Sequence, residues 1–273
     1  MKMTLETITP ERARELLKNN TRNRKVRESH VEYLANEMAQ GRWVVSPTAI
    51  ALSPDGVLVD GQHRLIAALQ AGATIQQWVA YDVPMQVQDV IDCGTGRSVA
   101  DQLHLSDDLP NANVRVGAAR AVVSVAVYYQ NYKLSIHSVR FVLGQFGDQI
   151  EYVISAMREF RFGMKTWLIG TLAFALAAEP DLAGFVKQVG SGVDLKKGDP
   201  AKTLRDWLTN TENQRLKTSY RRNAIECVLN AAYNAHHGAQ LTKLRKGALG
   251  ADYFCGKHRK FVSAIREQLK HQI

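Results

Sequence analysis

The sequence contains little cysteine and no long apolar run. Its three cysteines, Cys93, Cys227 and Cys255, are widely spaced and form no Cys-x-x-Cys pair, which argues against a disulfide framework or a structural zinc site. No stretch of about eighteen uncharged apolar residues occurs, so we predict no membrane span. The opening residues lack the apolar core of a signal peptide, and we therefore expect a cytoplasmic location.

What is present is the composition of an ordinary globular protein. The chain has 273 residues, of which 45% are hydrophobic and 22% charged, enough for one large domain or two smaller ones. The patterning changes near residue 105. We predict an α+β fold with a small mixed-sheet domain over residues 1–105, a linker at Leu105–Asn113 and an all-α domain over residues 114–273.

Periodicity predicts the elements of both parts. In the first part we expect three strands, Thr48–Leu52, Val57–Val59 and Gln77–Tyr81. The helices expected beside them are Glu11–Asn19, Glu28–Gln40, one starting at Arg64 and one around Met85–Ile91. The helices expected in the second part are Val114–Gln130, Ser135–Phe146, Asp148–Arg158, Lys165–Ala178, Asp181–Val189, Pro200–Asn210, Ser219–His237 and Lys257–His271.

The net charge of +9 is concentrated in the last quarter of the chain. Residues 201–273 carry 14 Lys or Arg against 5 Asp or Glu, whereas residues 1–105 carry 11 against 12. A localised basic segment favours binding to a polyanion such as nucleic acid. A solvated helical face is the alternative. The residues predicted to contact DNA are Arg215, Lys217, Arg221, Arg222, Lys243, Arg245, Lys246, Lys257, Arg259 and Lys260.

The most informative stretch runs from Val59 to Leu69, where a strand meets an Asp60-Gly61 turn and a helix starts at once. Backbone N–H groups at a helix start favour anions, glycine permits close approach, and His63 and Arg64 add donors that suit phosphate. The pattern therefore predicts a phosphate site. The alternative is a structural turn with Asp60 as the helix cap.

The order of elements around this junction resembles the N-terminal domain of the ParB/sulfiredoxin superfamily. Arg24 lies where partition proteins have the arginine of a Pro-Arg pair, and Gly61-Gln62-His63-Arg64 lies at their Gly-Glu-Arg-Arg box. Sulfiredoxin has a reactive cysteine where this chain has Gln62, which argues against sulfinic-acid reduction. The run from Asp60 to Arg64 is closest to the Asp-Gly-His-His-Arg form of the free-serine kinase.

The resemblance implies a nucleoside triphosphate, ATP or CTP, bound with Mg²⁺. The implied nucleotide-binding residues are Arg24, Gly61, Gln62, His63, Arg64, Asp92, Thr95 and Arg97. The last three belong to a looser match, the loop Ile91–Asp101, in which Ser98 is expected to cap the following helix. Asp60 and His63 are the implied catalytic residues, and Asp60 and Asp92 the implied metal ligands.

Three functions follow from these expectations. The first is a nucleotide-responsive DNA-binding protein of ParB-like type, with or without NTPase activity, from a phage or mobile element. The second is an ATP-dependent phosphotransferase that uses Asp60 as base or metal ligand. The third is a nuclease, for which Asp60 and Asp92 are the only carboxylate pair. A homodimer is left open, and the His236-His237 pair is not expected to bind metal because adjacent helical residues point apart.

Overall fold

A computed structural model describes residues 1–89, 97–130, 132–160, 165–210 and 221–269. Contacts divide the chain into two compact units, one formed by Met1–Arg97 with the residues from Gln268 onward, the other by Ser98–Glu267. The first contains a four-stranded mixed sheet and the second is helical, so the predicted α+β class is confirmed. No helix within the described ranges combines the length and apolarity needed to cross a bilayer.

In its described residues, the first unit contains four strands and three α-helices. Their bounds are β1 Lys2–Ile8, α1 Pro10–Leu17, α2 Glu28–Ala39, β2 Ile50–Leu52, β3 Leu58–Asp60, α3 Gln62–Ala71 and β4 Ile75–Tyr81, followed by a 3₁₀ helix at Met85–Asp89. The strand order is β1-β4-β2-β3. β4 pairs antiparallel with β1 and parallel with β2, and β2 pairs antiparallel with β3.

Apolar side chains on both faces of this sheet hold the helices in place. One face carries Ile8, Ile50, Leu58 and Val79, which pack against buried residues of α1, α2 and α3 such as Leu65. The other face carries a smaller cluster that includes Ala51, Val59 and Ala80, covered by the segment around the 3₁₀ helix. Burying both faces fixes where β3 ends and α3 begins, and this junction forms the candidate site.

The second unit packs its helices around α7. The bounds are α4 Val99–Asp107, α5 Ala112–Ala126, α6 Ile136–Ala156, α7 Thr166–Ala178, α8 Ala183–Ser191, α9 Pro200–Thr209, α10 Arg221–His236, α11 Leu249–Lys257 and α12 Arg259–Leu269, with a 3₁₀ turn at Pro180–Leu182. Residues 168–176 of α7 are all buried. A Cβ added at Gly170 would lie 2.2 Å from the Ala118 oxygen, so glycine is what lets α7 pack closely on α5.

Capping residues set several of the helix starts, as expected. Ser98 and Asp101 form a reciprocal capping box at the start of α4, with Asp101 N donating to Ser98 Oγ over 3.1 Å. Ser135 Oγ accepts from Ser138 N at the start of α6, and Pro200 occupies the first position of α9. The two serine side chains each satisfy a backbone N–H that has no acceptor inside its own helix, whereas Pro200 has no N–H that needs one.

The structure differs from the predicted elements in several places. Strand β1 was not predicted, and Met85–Asp89 is a 3₁₀ turn rather than the start of an α-helix. Ser135–Phe146 and Asp148–Arg158 belong to one helix, because burial of a stripe that includes Phe146 outweighs the roughly 1 kcal/mol cost of each internal glycine. The predicted helix from Lys257 is two helices that meet at His258.

The predicted linker Leu105–Asn113 is also mostly helical. α4 runs to Asp107 and α5 begins at Ala112. The chain turns between them through Asp108 and Asn111, each with φ of 49°. These two residue types tolerate the left-handed region best among non-glycine residues, so the polar composition indicated a tight turn rather than an extended linker.

Candidate functional site

Gly61 is the residue that joins β3 to α3. Its φ of +106° lies in a region that side-chain-bearing residues rarely adopt. A Cβ at this position would also lie 2.9 Å from Ile50 Cγ1 on the neighbouring strand β2. Backbone conformation and packing therefore both require glycine, and the turn leads directly into the first turn of α3.

Arg64 is bonded inside the protein. Its guanidinium pairs with Asp60 Oδ2 over 2.8 Å and donates to the carbonyl oxygens of Thr48 and Ala49 over 2.6 and 2.9 Å. Asp60 Oδ1 in turn accepts from Gly61 N over 2.6 Å. Only 13% of the Arg64 side chain is exposed. The predicted phosphate ligand thus fastens the start of β2 to α3.

Gln62 and His63 are buried and hold a neighbouring loop. Gln62 Nε2 donates to Arg24 O over 2.8 Å, and its Oε1 accepts from Asn20 Nδ2 over 3.2 Å. His63 Nε2 accepts from Arg27 N over 3.0 Å. A ring nitrogen that accepts a backbone N–H carries no proton. Nε2 of His63 is therefore unprotonated, and its lone pair accepts the hydrogen bond that positions the loop.

The loop held in this way, which we call the basic loop (residues 20–27), is rich in cations. Its side chains Arg22, Arg24, Lys25 and Arg27 are all exposed. Asn23 Nδ2 donates to Leu58 O over 2.7 Å, which ties the loop to β3 as well. The structure therefore brings Arg24 beside the Asp60–Arg64 box, and it places three further cations there that the sequence reasoning did not select.

The second predicted loop is only partly described. Asp92 and Thr95 lie outside the described residues, as does Cys93, so nothing structural bears on the proposed metal ligand or on the looser match. Arg97 is exposed at the end of the first unit. It directly precedes the Ser98 capping box, and Arg97–Asp101 is the part of this loop that the structure describes.

The predicted DNA-binding residues are exposed wherever the structure describes them, and Arg215 and Lys217 fall outside that part of the chain. Two of the exposed side chains are neutralised locally. Arg222 Nε pairs with Glu226 over 3.0 Å, and Lys257 Nζ pairs with Glu179 over 2.7 Å. The other exposed members of the predicted DNA-binding set are therefore the strongest candidates for contact with an external anion.

Lys243, Arg245 and Lys246 lie on an exposed loop that α10 holds firmly. Asn230 Nδ2 donates to the carbonyl oxygens of Arg245 and Gly247 over 2.9 and 3.2 Å. Gly247 N donates to Glu226 Oε2 over 3.0 Å. The loop backbone is thus fixed while its three cationic side chains point to positions exposed to solvent.

Sequence reasoning missed a cluster formed by Glu179, Asp181 and His236, whose ligand atoms lie within 4.8 Å of one another. His236 Nδ1 lies 2.9 Å from Asp181 Oδ2 and its Nε2 lies 3.7 Å from Glu179 Oε1. Lys257, together with Tyr253, hydrogen-bonds Glu179 and lowers the pKa of that carboxyl. The ammonium group of Lys257 thus already places a positive charge beside the Glu179 carboxylate.

No sequence signal could have found this cluster, because Asp181 and His236 are 55 positions apart and meet only through the packing of α10. The same holds for the Arg64 contacts with β2. Both depend on how the elements pack, whereas the neighbourhood of Arg24 and the box could be inferred from the order of elements.

Comparison with known proteins adds no relative to this picture. No family model matches the chain, and no curated protein and no solved structure matches it either. The resemblance to the ParB/sulfiredoxin superfamily therefore stays a prediction, carried by the box residues and the order of elements.

Proposed function

We propose that this protein is a nucleotide-responsive DNA-binding protein. The basic loop and the start of α3 would bind the phosphates of a nucleoside triphosphate, and the basic residues of the helical unit would bind DNA. One observation carries the proposal. The buried side chains Gln62 and His63 hold a loop with four exposed cations beside the first turn of α3.

This arrangement suits phosphate for two reasons. The N–H groups in the first turn of α3 have no acceptor within their own helix, and the helix dipole favours negative charge there. The basic loop adds arginine guanidinium groups, which match phosphate oxygens in geometry and charge. In this proposal Arg22, Arg24, Lys25 and Arg27 contact the phosphates, while Arg64 keeps the scaffold in shape.

The response to nucleotide would come through the same loop. Gln62 and His63 bind the backbone of the loop at Arg24 and Arg27, so phosphate on the cationic side chains would add to contacts that already hold the loop. A ligand that binds one arrangement of the loop better shifts the population toward it. Mg²⁺ would neutralise phosphate charge, but at Asp60 it would compete with the contacts to Gly61 and Arg64.

The charge distribution supports the DNA half of the proposal. The last quarter of the chain carries nearly all of the net charge, and the described members of its basic set are exposed. Cations that contact phosphates release condensed counterions, which is the main source of sequence-independent affinity for DNA. The first unit has nearly balanced charge, so its cations act locally at the basic loop.

The phosphotransferase and nuclease alternatives receive less support. A general base needs a carboxylate free to accept a proton, whereas Asp60 pairs with Arg64 and accepts from Gly61 N. The nuclease depends on Asp92, which lies outside the described residues. The structure offers no specific observation that favours either alternative.

The test is a titration of the full chain with Mg-ATP and Mg-CTP, followed by DNA binding with and without the nucleotide that binds. Arg24→Gln should weaken nucleotide binding at least about tenfold, since it removes one charge-assisted contact. Arg14→Gln is the matched control, because Arg14 is exposed on α1 of the same unit. Equal affinity of the two variants and the wild type would refute the basic-loop site.

Arg64→Ala is a poor probe of this proposal, because it removes the contacts that hold β2. DNA affinity that does not change when nucleotide is added would refute the coupling while leaving the binding site itself intact. Transfer of the γ-phosphate to an acceptor would instead favour the phosphotransferase.

A further inference from the structure

A small pocket in the helical unit combines two arginines with aromatic rings. Its volume is about 240 Å³, below the roughly 300–1,000 Å³ typical for drug-sized ligands. α5, the turn after it, and the first residues of α7 and α10 form its walls. The charged, hydroxyl-bearing and large aromatic side chains of its lining include Arg120, Ser124, Tyr132, Thr166, Trp167 and Arg221. We call it the Arg120–Arg221 pocket.

The two arginines distinguish this pocket from the rest of the unit. Both are exposed, and within the described residues neither forms an ion pair or a hydrogen bond. By contrast, Arg115 pairs with Glu151 and Arg140 with Asp107, each over 2.6 Å. The described lining contains no carboxylate. Two like charges that share a small concavity without a counter-ion favour an anionic ligand.

The remaining lining suits a planar ring and a polar edge. Trp167 and Tyr132 line the same pocket as the two arginines. Ser124 and Thr166 add hydroxyl groups to this lining. Aromatic side chains stack on nucleobases with little regard to sequence, and neighbouring arginines bind the phosphate. A lining that combines cations with aromatic rings matches a nucleotide better than an isolated phosphate or an apolar ligand.

The turn beside the pocket extends the same chemistry. Tyr128 and Tyr129 have φ of 55° and 70°, a conformation that bulky residues rarely adopt and that the surrounding fold must maintain. Arg266 lies 5.1 Å from the Tyr128 ring and Arg222 lies 5.2 Å from the Tyr129 ring. Tyr128 is 55% exposed. Two cation–aromatic pairs therefore lie on the segment that leads into Tyr132.

We propose that the Arg120–Arg221 pocket binds a single nucleoside phosphate, with the phosphate on the two arginines and the base against Trp167 and Tyr132. The proposal goes beyond the nucleotide site at the basic loop and does not depend on it. The ligand chemistry has two sources, a free mononucleotide or one nucleotide of a single-stranded nucleic acid. The experiment below separates them.

The experiment follows tryptophan fluorescence of the full chain during titration with AMP, CMP or a six-nucleotide single-stranded DNA. We expect quenching that Trp167→Phe removes. Arg120→Gln and Arg221→Gln should each weaken binding at least about tenfold and lower the salt dependence by about one unit of log–log slope. Arg158→Gln, which alters an exposed arginine in the turn after α6 and outside this pocket, is the matched control.

The outcomes test the proposal and also show whether the bound nucleotide is free or belongs to a single-stranded nucleic acid. Oligonucleotide affinity well above that of AMP and CMP assigns the pocket to nucleic acid, and comparable affinities assign it to free nucleotide. Unchanged binding in the Arg120→Gln/Arg221→Gln double variant, or no binding of any probe by a wild type that unfolds cooperatively, would overturn the proposal. Arg24→Gln should leave the Trp167 signal intact, so failure of the basic-loop site is distinguishable from failure of this one.

Discussion

Arg64 and Arg221 show two opposite uses of the same side chain. Arg64 belongs to the sequence pattern that most resembles a ligand site, yet its guanidinium is bonded to Asp60 and to two carbonyl oxygens of the scaffold. Arg221 belongs to the basic set predicted to contact DNA, and it lines a pocket and has no ion-pair partner among the described residues. A recognisable motif can thus mark structural support, while exposed arginines far apart in the sequence can meet in one pocket through the fold.

The largest expected effect tests the scaffold side of this comparison. Gly61→Ala should destabilise the first unit by roughly 2–5 kcal/mol, because it adds backbone strain and a clash with Ile50. Gly72→Ala is the control, since its φ is also positive but a Cβ there would meet open space. We expect it to cost about 1–2 kcal/mol. Urea unfolding followed by tryptophan fluorescence measures both, and equal costs would contradict the packing argument.

The second test compares the two arginines directly. Arg64→Ala should cost about 2–3 kcal/mol of unfolding free energy, because Asp60 and two carbonyl oxygens lose their donor. Arg221→Ala should change it by no more than about 0.5 kcal/mol, as is usual for exposed positions. Both values come from the same denaturation series. If Arg221→Ala proved as costly as Arg64→Ala, the side chain would have a structural role, and the distinction between the two sites would fail.

The third test applies the comparison to the basic surface. Replacing Lys243, Arg245 and Lys246 by Gln should lower DNA affinity about 10- to 100-fold and reduce the log–log salt slope by up to about three. Lys257→Gln should change little, since Lys257 already pairs with Glu179. Fluorescence anisotropy of labelled duplex DNA over a salt series measures both effects. An unchanged slope in the triple variant would place the DNA surface elsewhere.

The smallest effect concerns pH and the helical core. Burial lowers the pKa of His258 below the ordinary value of 6.5, and its Nε2 bonds Phe174 O over 2.9 Å. The unfolded chain therefore takes up this proton at a higher pH than the folded one. The stability contribution is complete above pH 6.5 and is lost progressively as the pH falls below that value. Thermal unfolding between pH 7.5 and 5 should show this decline.

His258→Gln is the variant that isolates this titration. Glutamine keeps a donor for Phe174 O and has no proton to gain in this range. We expect a lower melting temperature at pH 7.5 but a flatter pH dependence below 6.5. An identical pH slope in the variant would assign the decline to other groups.

The fold could be predicted largely from periodicity, and the exceptions have physical causes. β1 was missed because most of its residues are exposed, so the strand shows little of the apolar alternation that marks a buried strand. Local propensity predicts a break of α6 at Gly147, because it gives no weight to the buried stripe that keeps the helix continuous. In both cases tertiary contacts decide what local sequence leaves open.

The candidate site could be predicted only in part, for the same reason. The order of elements placed Arg24 near the box, and the Asp60-Gly61 turn predicted where α3 would begin. The roles of the box side chains could not be predicted, because they depend on distances to Thr48, Ala49 and the backbone of the basic loop. The Arg120–Arg221 pocket joins positions about one hundred residues apart, and no local pattern marks it.

The pairing of β1 with β4 has a consequence for synthesis. Ile8 lies opposite Ile75 and Lys2 opposite Tyr81, so β1 leaves the ribosome long before its partner exists. At about 5–20 residues per second, the wait lasts several seconds. During that time Met3 and Leu5, which remain about half exposed even in the finished fold, are on a strand without a neighbour. The nascent chain is therefore most open to chaperone binding, or to mispairing with another chain, until β4 has emerged.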